Sequence, residues 1–590
     1  MEQELITLGI LFVFALIGGV LAARFKQPML MGLLLVGALI GPHAFGLLEN
    51  KHLLESMIEF GAILMLFILG LEFDIHKLKK IGLKAILIAF LNSAILTFVG
   101  FSVATLLGFG VTASLFLGVV LAFGSTVVIV KVLENKGMMD RQEVPLLIAI
   151  LIIEDIIAVM VITFFSGMQD KSVGLFGNIE SMIISMCILI LAYIVFMKFI
   201  KPLLTYVLKG NNSEEIMTFT ALAMCAGFAY LAYHLHLSPA VGAFLAGSIV
   251  ASLPNSKAFE KAIAPYNIII SSFFFIAIGT LINFTSIIDN IMVILVFVLT
   301  VIIIKLTAFS GMVYFFANMR GDKMFFSSIA MFSVGEFSLL VAKESLKFDI
   351  GIDLISISAA IIAISAIVMS LTINYSDKIY QPAVERLPWK IRKNMDKFAE
   401  YIKTVSEELD LDNKYSRSLR STLAKATLTF MMLLLVIFGY RKFQTYVALT
   451  PAANIFVYAI VLVLVGWLLF HFIMVMRTVL TALAEIFDNA TNTRSVFQSR
   501  VIVKRAFIGS GIFFIALLWP FAMFLFDMKP VLLSVSFVFL LISFWQFHKI
   551  SVAMHDNIDA VKDKYTAYVH YNRDKKSQLG AKDFNRGWKF

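Results

Sequence analysis

The sequence predicts an all-helical, polytopic membrane protein organised as an inverted repeat. Three observations carry this expectation. Of 590 residues, 60% are hydrophobic and only 15% charged, whereas a soluble domain carries about 25% charged residues. Apolar stretches long enough to cross a bilayer recur along the chain. Two halves of the first 375 residues also repeat each other's glycine, proline and polar landmarks. A larger interior does not account for the missing charge, because domains beyond roughly 250–300 residues split rather than enlarge one core. Lipid must therefore replace water over most of the surface.

The first stretch, MEQELITLGILFVFALIGGVLAARF, lacks the positive region and small-residue cleavage site of a removed signal and reads as a retained span. The expected spans are 5–23, 28–48, 56–73, 83–107, 112–131, 145–166, 179–205, 216–235, 239–253, 267–282, 291–316, 324–342 and 353–374, thirteen in all. Near-polar sequence follows at 376–423, rich in Glu, Lys and Arg with sparse Leu and Ile, and reads as a cytoplasmic amphipathic linker. Four further candidates lie at 424–440, 453–476, 506–526 and 530–547. The expected domains are thus a membrane domain at 1–375, the linker, an added transmembrane module at 424–548, and a basic tail at 549–590.

Loop charge orients the chain. With the N-terminus outside, the inner loops hold Arg24, Lys26, Lys77, Lys79, Lys80, Lys131, Lys136, Arg141, Lys198, Lys201, Lys257, Lys261, Arg320 and Lys323. The outer loops hold little beyond Lys51, Lys171, Lys343 and Lys347. This bias places the C-terminus in the cytoplasm and the chain in the cell membrane. The net charge of +10 is spread over short loops and does not suggest nucleic acid. The Lys-rich tail suits anionic headgroups.

The repeat is the strongest organisational signal. Pro28 to Gly32, followed by Gly37, resembles Pro239 to Gly242, followed by Gly247. LMLFILGLEFD around Gly70 resembles SFFFIAIGTLIN around Gly279, and Gly124-Ser125-Thr126 lies opposite Gly335-Glu336-Phe337. The offsets are 211, 209 and 211 residues. Counted in spans the shift is seven, and an odd shift inverts the second copy, at about 239–375, relative to the first, at about 1–166. Inverted repeats place a site at the membrane midplane between interrupted helices.

Chemistry concentrates in three spans. Glu154 and Asp155 lie near the centre of the sixth, where a charge costs about 2.5–3.5 kcal/mol. Two adjacent carboxylates in low dielectric cannot both ionise cheaply. A proton and a monovalent cation would then compete for the same oxygens of Asp155 and Glu154, which is the chemistry of antiport. Lys305, in the eleventh span, needs a partner, either as a fixed ion pair or as a switch that holds Glu154 while the site is empty. Glycine beside Ser125, Thr126 or Glu336 in mid-span fits helices that break and offer carbonyls to a cation, and oxygen ligands suit an alkali ion. Glu336 would lie near the exposed N–H groups of such a break.

Other features read as ordinary. His43, His234 and His236 sit near span ends, and Cys187 and Cys225 fall in apolar stretches without a redox or metal pattern. Neither a dinucleotide fingerprint nor a nucleophile–base arrangement stands out, so enzyme chemistry and a cofactor are not expected.

These residues resemble the monovalent cation:proton antiporter-2 family, which includes Kef-type potassium/proton systems and Nap-type sodium/proton antiporters. The resemblance covers about 1–375 and rests on LGLEFD, the GSTVVI break, Glu154-Asp155, Lys305, and GEFSLL from Gly335. It implies thirteen spans, two discontinuous helices that cross, an outer dimerisation domain and an inner core domain moving like an elevator, and a homodimer. It further implies that Asp155 is the essential carboxylate, with Glu154 at a variable position and paired to Lys305. Ser125 and Thr126 would lie at the crossing, with Glu336 on the opposing helix. The chain departs from Kef-type members in having four more hydrophobic segments instead of a nucleotide-binding domain. A cation channel along the broken helices and a non-transporting receptor or scaffold are the alternative readings. A channel needs rings of ligands from several subunits or repeats, whereas this chain offers one acidic pair facing one lysine.

Overall fold

A computed structural model describes residues 2–167, 188–202, 213–376 and 496–546, apart from a few positions, together with scattered residues in 421–478. The first part of the span expected at 179–205, nearly all of the linker, most of the candidates at 424–440 and 453–476, Cys187 and nearly all of the basic tail lie outside the described residues. The chain forms two compact units, Met1–Lys403 with Leu517–Leu533, and Thr404–Ala516 with Ser534–Phe590.

All named elements of the first unit are helical. The first half contains α1 (Glu2–Arg24), α2 (Met29–Ile40), α3 (Lys51–Glu72), α4 (Ile75–Leu106), α5 (Val111–Val120), α6 (Thr126–Asn135) and α7 (Val144–Gly167). The second contains α8 (Glu214–His234), α9 (Pro239–Ala251), α10 (Ser256–Thr280), the short α11 (Phe284–Asp289), and α12 (Ile291–Ile304). A π-turn (Lys305–Phe309) joins α12 to α13 (Ser310–Phe316), and α14 (Asp322–Ala330), α15 (Phe337–Glu344) and α16 (Leu354–Thr372) follow. Among the described residues seven helices are long and apolar enough to cross a membrane, and an eighth counts if α10, bent by 46° near Pro265, is one span. The protein is a multi-pass membrane protein.

Two boundaries differ from expectation for physical reasons. The stretch 28–48 is expected as one span, yet α2 stops at Ile40, because Pro42 disfavours helical backbone at Gly41, which is extended with ψ 173° and packs closely against Thr280. Conversely, α10 starts at Ser256, well before the apolar run at 267, through the amphipathic sequence SKAFEKAIA.

The helices pack as two bundles. One joins α1, α2 and α3 to α8, α9 and α10, and the other gathers α4–α7 with α12–α16. Glycines set the spacing in the first bundle. A Cβ on Gly37 would meet the Ile276 carbonyl oxygen at 2.3 Å and Gly279 Cα at 2.9 Å. One on Gly70 would meet the Phe244 oxygen at 2.1 Å, and one on Gly247 the Phe67 oxygen at 2.0 Å. The contacts are reciprocal: the Gly37 region of the first copy packs on the Gly279 region of the second, and Gly70 on Gly247. A two-fold relation between copies produces this exchange, and small residues permit the approach. The second bundle has its own apolar core, including Ile88, Ile129, Leu147, Leu151, Phe309, Phe326, Ile329 and Met369.

Among the described residues further along the chain are α17 (Val496–Leu525) and a shorter apolar helix, Leu533–Gln546. In the second unit, Ser543 Oγ donates to the Gly509 carbonyl at 2.8 Å.

Candidate functional site

The site forms where two interrupted helices of the second bundle meet. α5 stops at Val120 and α6 begins at Thr126, while α14 stops at Ala330 and α15 begins at Phe337. The two breaks run antiparallel and pair through their backbones. Ser125 N–H donates to Ser333 C=O at 3.2 Å, and Gly335 N–H donates to Phe123 C=O at 2.8 Å. Gly124 and Val334 face each other in the resulting bridge. Glycine is required here by proximity, since a Cβ on Gly335 would lie 2.4 Å from the Gly124 carbonyl oxygen.

Side chains complete the crossing. Ser125 caps α6 by accepting from Val128 N–H at 3.2 Å, and its hydroxyl donates to Glu336 Oε2 at 2.9 Å. Ser338 Oγ donates to Val120 C=O at 2.5 Å. Glu336, 5% exposed, occupies the cap position of α15. The breaks thus bring together the N-terminal ends of α6 and α15, whose exposed N–H groups favour negative charge.

The acidic pair comes from the middle of α7. Glu154 is fully buried and Asp155 is 3% exposed. Glu154 Oε2 accepts the Gly124 N–H at 2.9 Å, and Oε1 accepts the Asn92 side-chain amide at 2.5 Å. Lys305 Nζ stands 4.0 Å from Oε1 and 4.9 Å from the Phe309 ring centroid, with no hydrogen bond of its own among the described residues. An ion pair this deep is a poor source of stability, because desolvating two charges offsets most of their attraction, but removing one member leaves the other uncompensated. Asp155 Oδ2 accepts from Thr126 Oγ1 at 3.2 Å.

Every residue singled out in the sequence falls in this cluster: Glu154, Asp155 and Thr126 on one side, Lys305 beside Glu154, and Ser125 with Glu336 across the crossing. The sequence reading missed Asn92 and Ser365, whose hydroxyl accepts the Val334 N–H at 3.0 Å. A lone amide in the middle of an apolar span was the available signal for Asn92. Among the described residues, no group of three or more His, Cys, Asp or Glu is gathered as a metal-ion site.

Similarity to known proteins follows the same boundaries. Sequence comparison finds MagA of Paramagnetospirillum magneticum, described as an iron transporter, 27% identical over 63% of this chain and 84% of its own length. K(+) efflux antiporter 5 of Arabidopsis thaliana is 29% identical over 57% of this chain, which covers 60% of the plant protein. The K(+)/H(+) antiporter subunit KhtU of Bacillus subtilis is 28% identical over 66% of this chain and 98% of its own. The family model for the sodium/hydrogen exchanger transmembrane domain matches residues 11–375, the stretch that holds both bundles and the crossed breaks. The chain belongs to the sodium/hydrogen exchanger family.

Proposed function

We propose that the chain is a secondary active antiporter that exchanges sodium or potassium for protons across the cell membrane by alternating access. One observation carries the reading, namely the division of work within the acidic pair. Both oxygens of Glu154 already accept hydrogen bonds, from Gly124 and Asn92, and its charge is answered by Lys305. Asp155 lies next to it with the Thr126 hydroxyl on Oδ2. Asp155 is then the carboxylate that holds a proton or an alkali cation in turn. Glu154, Ser125 and Thr126 supply further oxygens as the site fills, and Lys305 and Glu336 balance the charge. When a cation draws on Glu154, Lys305 loses its partner, which couples occupancy to the state of the lysine. The cation and proton are substrates. Family membership and the potassium/proton and potassium-efflux antiporters among the relatives support this reading.

The finer architecture belongs to the same proposal. It comprises thirteen spans in 1–375, an external N-terminus and cytoplasmic C-terminus, and a homodimer. The second bundle moves as an elevator against the glycine-packed first. The linker at 376–423, the module at 424–548 and the tail at 549–590 form an extension that docks or stabilises the dimer, with anionic lipid at the tail.

Reconstitution in vesicles with lithium, sodium, potassium or rubidium against a pH gradient tests the function. The expected result is saturable, cation-driven proton movement that disappears in Asp155→Asn while the protein still folds and inserts. Uncoupled current identifies a channel instead, and no flux identifies a scaffold. Full exchange by Asp155→Asn rejects the site.

A further inference from the structure

The bridge at the crossing leaves two backbone donors without a partner in the other break. Gly124 and Val334 oppose each other, while the inter-break bonds are made by their neighbours Ser125 and Gly335. The N–H groups of Gly124 and Val334 therefore point outward, away from the bridge, where water does not satisfy them. Each meets a side chain from the helix that comes next in the chain after its own interrupted pair, α7 after α5–α6 and α16 after α14–α15. Glu154 of α7 accepts from Gly124 at 2.9 Å, and Ser365 of α16 accepts from Val334 at 3.0 Å. Glu154 and Ser365 are 211 positions apart, the offset that separates Gly124-Ser125-Thr126 from Gly335-Glu336-Phe337. They are counterparts in the two copies. The position after Ser365, counterpart to Asp155, is the buried Ala366, so the second copy keeps the acceptor and has no carboxylate to bind an ion.

We propose that Ser365 is a positioning residue for the ion site, holding the second break through the Val334 N–H as Glu154 holds the first through the Gly124 N–H. Ser365 is 1% exposed and donates its own proton to Ile362 C=O at 3.0 Å, which leaves its lone pairs directed at Val334. Releasing Val334 frees the strand that carries Ser333 and Gly335, and with it the register that sets Glu336 against Ser125. The effect reaches the cation through that register, not through contact. The inference rests on the antiport reading for its kinetic arm and on geometry alone for its structural arm.

The test uses Ser365→Ala, Ser365→Thr and Ser365→Cys in the full chain. In vesicles, Ser365→Ala is expected to raise the apparent KM for the driving cation, by at most the about 5- to 150-fold that one orphaned buried N–H is worth, with a smaller change in maximal rate. Ser365→Thr, which keeps the hydroxyl, restores the wild-type KM, and Ser365→Cys, a weak acceptor of similar size, falls between. In parallel, hydrogen–deuterium exchange of the peptide containing Val334 speeds up in Ser365→Ala and Ser365→Cys and not in Ser365→Thr. A wild-type KM in both the Ala and Cys variants overturns the proposal, and so does unchanged exchange at Val334. If Ser365→Ala does not fold, the Cys and Thr variants decide by the same two readouts. An inactive wild type would overturn the antiport reading while the exchange measurement still decides the role of Ser365.

Discussion

Replacing Glu154 separates its two jobs, holding the break and neutralising Lys305. In Glu154→Leu, two donors lose their acceptor, the Gly124 N–H at 2.9 Å and the Asn92 amide at 2.5 Å, and the Lys305 ammonium loses its ion-pair partner at 4.0 Å. Two orphaned neutral donors cost about 1–3 kcal/mol each, and an unpaired buried charge adds roughly 3–5 kcal/mol. The total, about 5–11 kcal/mol, approaches the whole stability of an ordinary domain, so this variant is expected not to accumulate. Glu154→Gln behaves differently. Its carbonyl oxygen can still accept from Gly124, and Asn92, whose Oδ1 has no partner among the described residues, can turn its amide to accept from the new NH2. Only Lys305 is left over, at about 3–5 kcal/mol while it stays charged. Adding Lys305→Met removes that charge and should recover most of the loss. Thermal melting of detergent-solubilised protein, followed by size-exclusion fluorescence, gives the order wild type, Glu154→Gln/Lys305→Met, Glu154→Gln, with Glu154→Leu absent. If Glu154→Gln alone melts with the wild type, the lysine and the carboxylate are not energetically coupled and the account of the pair is wrong.

Further expectations concern the lysine and the crossing. Lys305→Ala removes the charge that stands 4.0 Å from Glu154 and should shift the pH at which exchange switches on; a vesicle assay across pH that gives an unchanged profile makes the lysine structural. Gly335→Ala forces a methyl within 2.4 Å of the Gly124 oxygen, costing about 1–3 kcal/mol or more, and should both lower the melting temperature and weaken cation affinity. A wild-type melt and affinity in that variant would mean that the breaks can part without consequence. By the same steric argument Gly70→Ala should destabilise the first bundle, read as a lower melting temperature, since its Cβ would meet the Phe244 oxygen at 2.1 Å; a melt equal to the wild type refutes that packing account.

The parts of the site that were legible in the sequence are those whose presence in hydrocarbon is costly. Glu154, Asp155, Lys305 and Glu336 stand out because a charge in mid-span needs a reason, and Gly124 and Gly335 because a glycine beside a polar residue marks a break. What could not be read are the hydrogen bonds of Glu154: the one from Gly124 comes from a backbone N–H, which has no letter of its own, and the one from Asn92 depends on how α4 packs against α7. Ser365 was hidden among Ser356, Ser358 and other small residues of α16 that pass as packing positions. In the fold, hydropathy located the membrane helices but misjudged 41–48 and the start of α10, where apolar sequence forms a turn and polar sequence continues a helix. The reciprocal glycine seam was foreshadowed by the offset, because the residues that repeat are the ones that touch.

The π-turn at Lys305 carries its own message. Val301, Lys305, Phe309 and Val313 are all buried and spaced four apart, a rhythm that on a regular helix would creep about 40° around the axis at each step. Slower winding across Lys305–Phe309 takes up that creep, so the ammonium and the Phe309 ring share one side of the rod. The insertion of a single residue thus works as a steering correction. A chain shortened by one residue between 305 and 309 is expected to turn the cation and the apolar residues that follow it onto different sides of that helix.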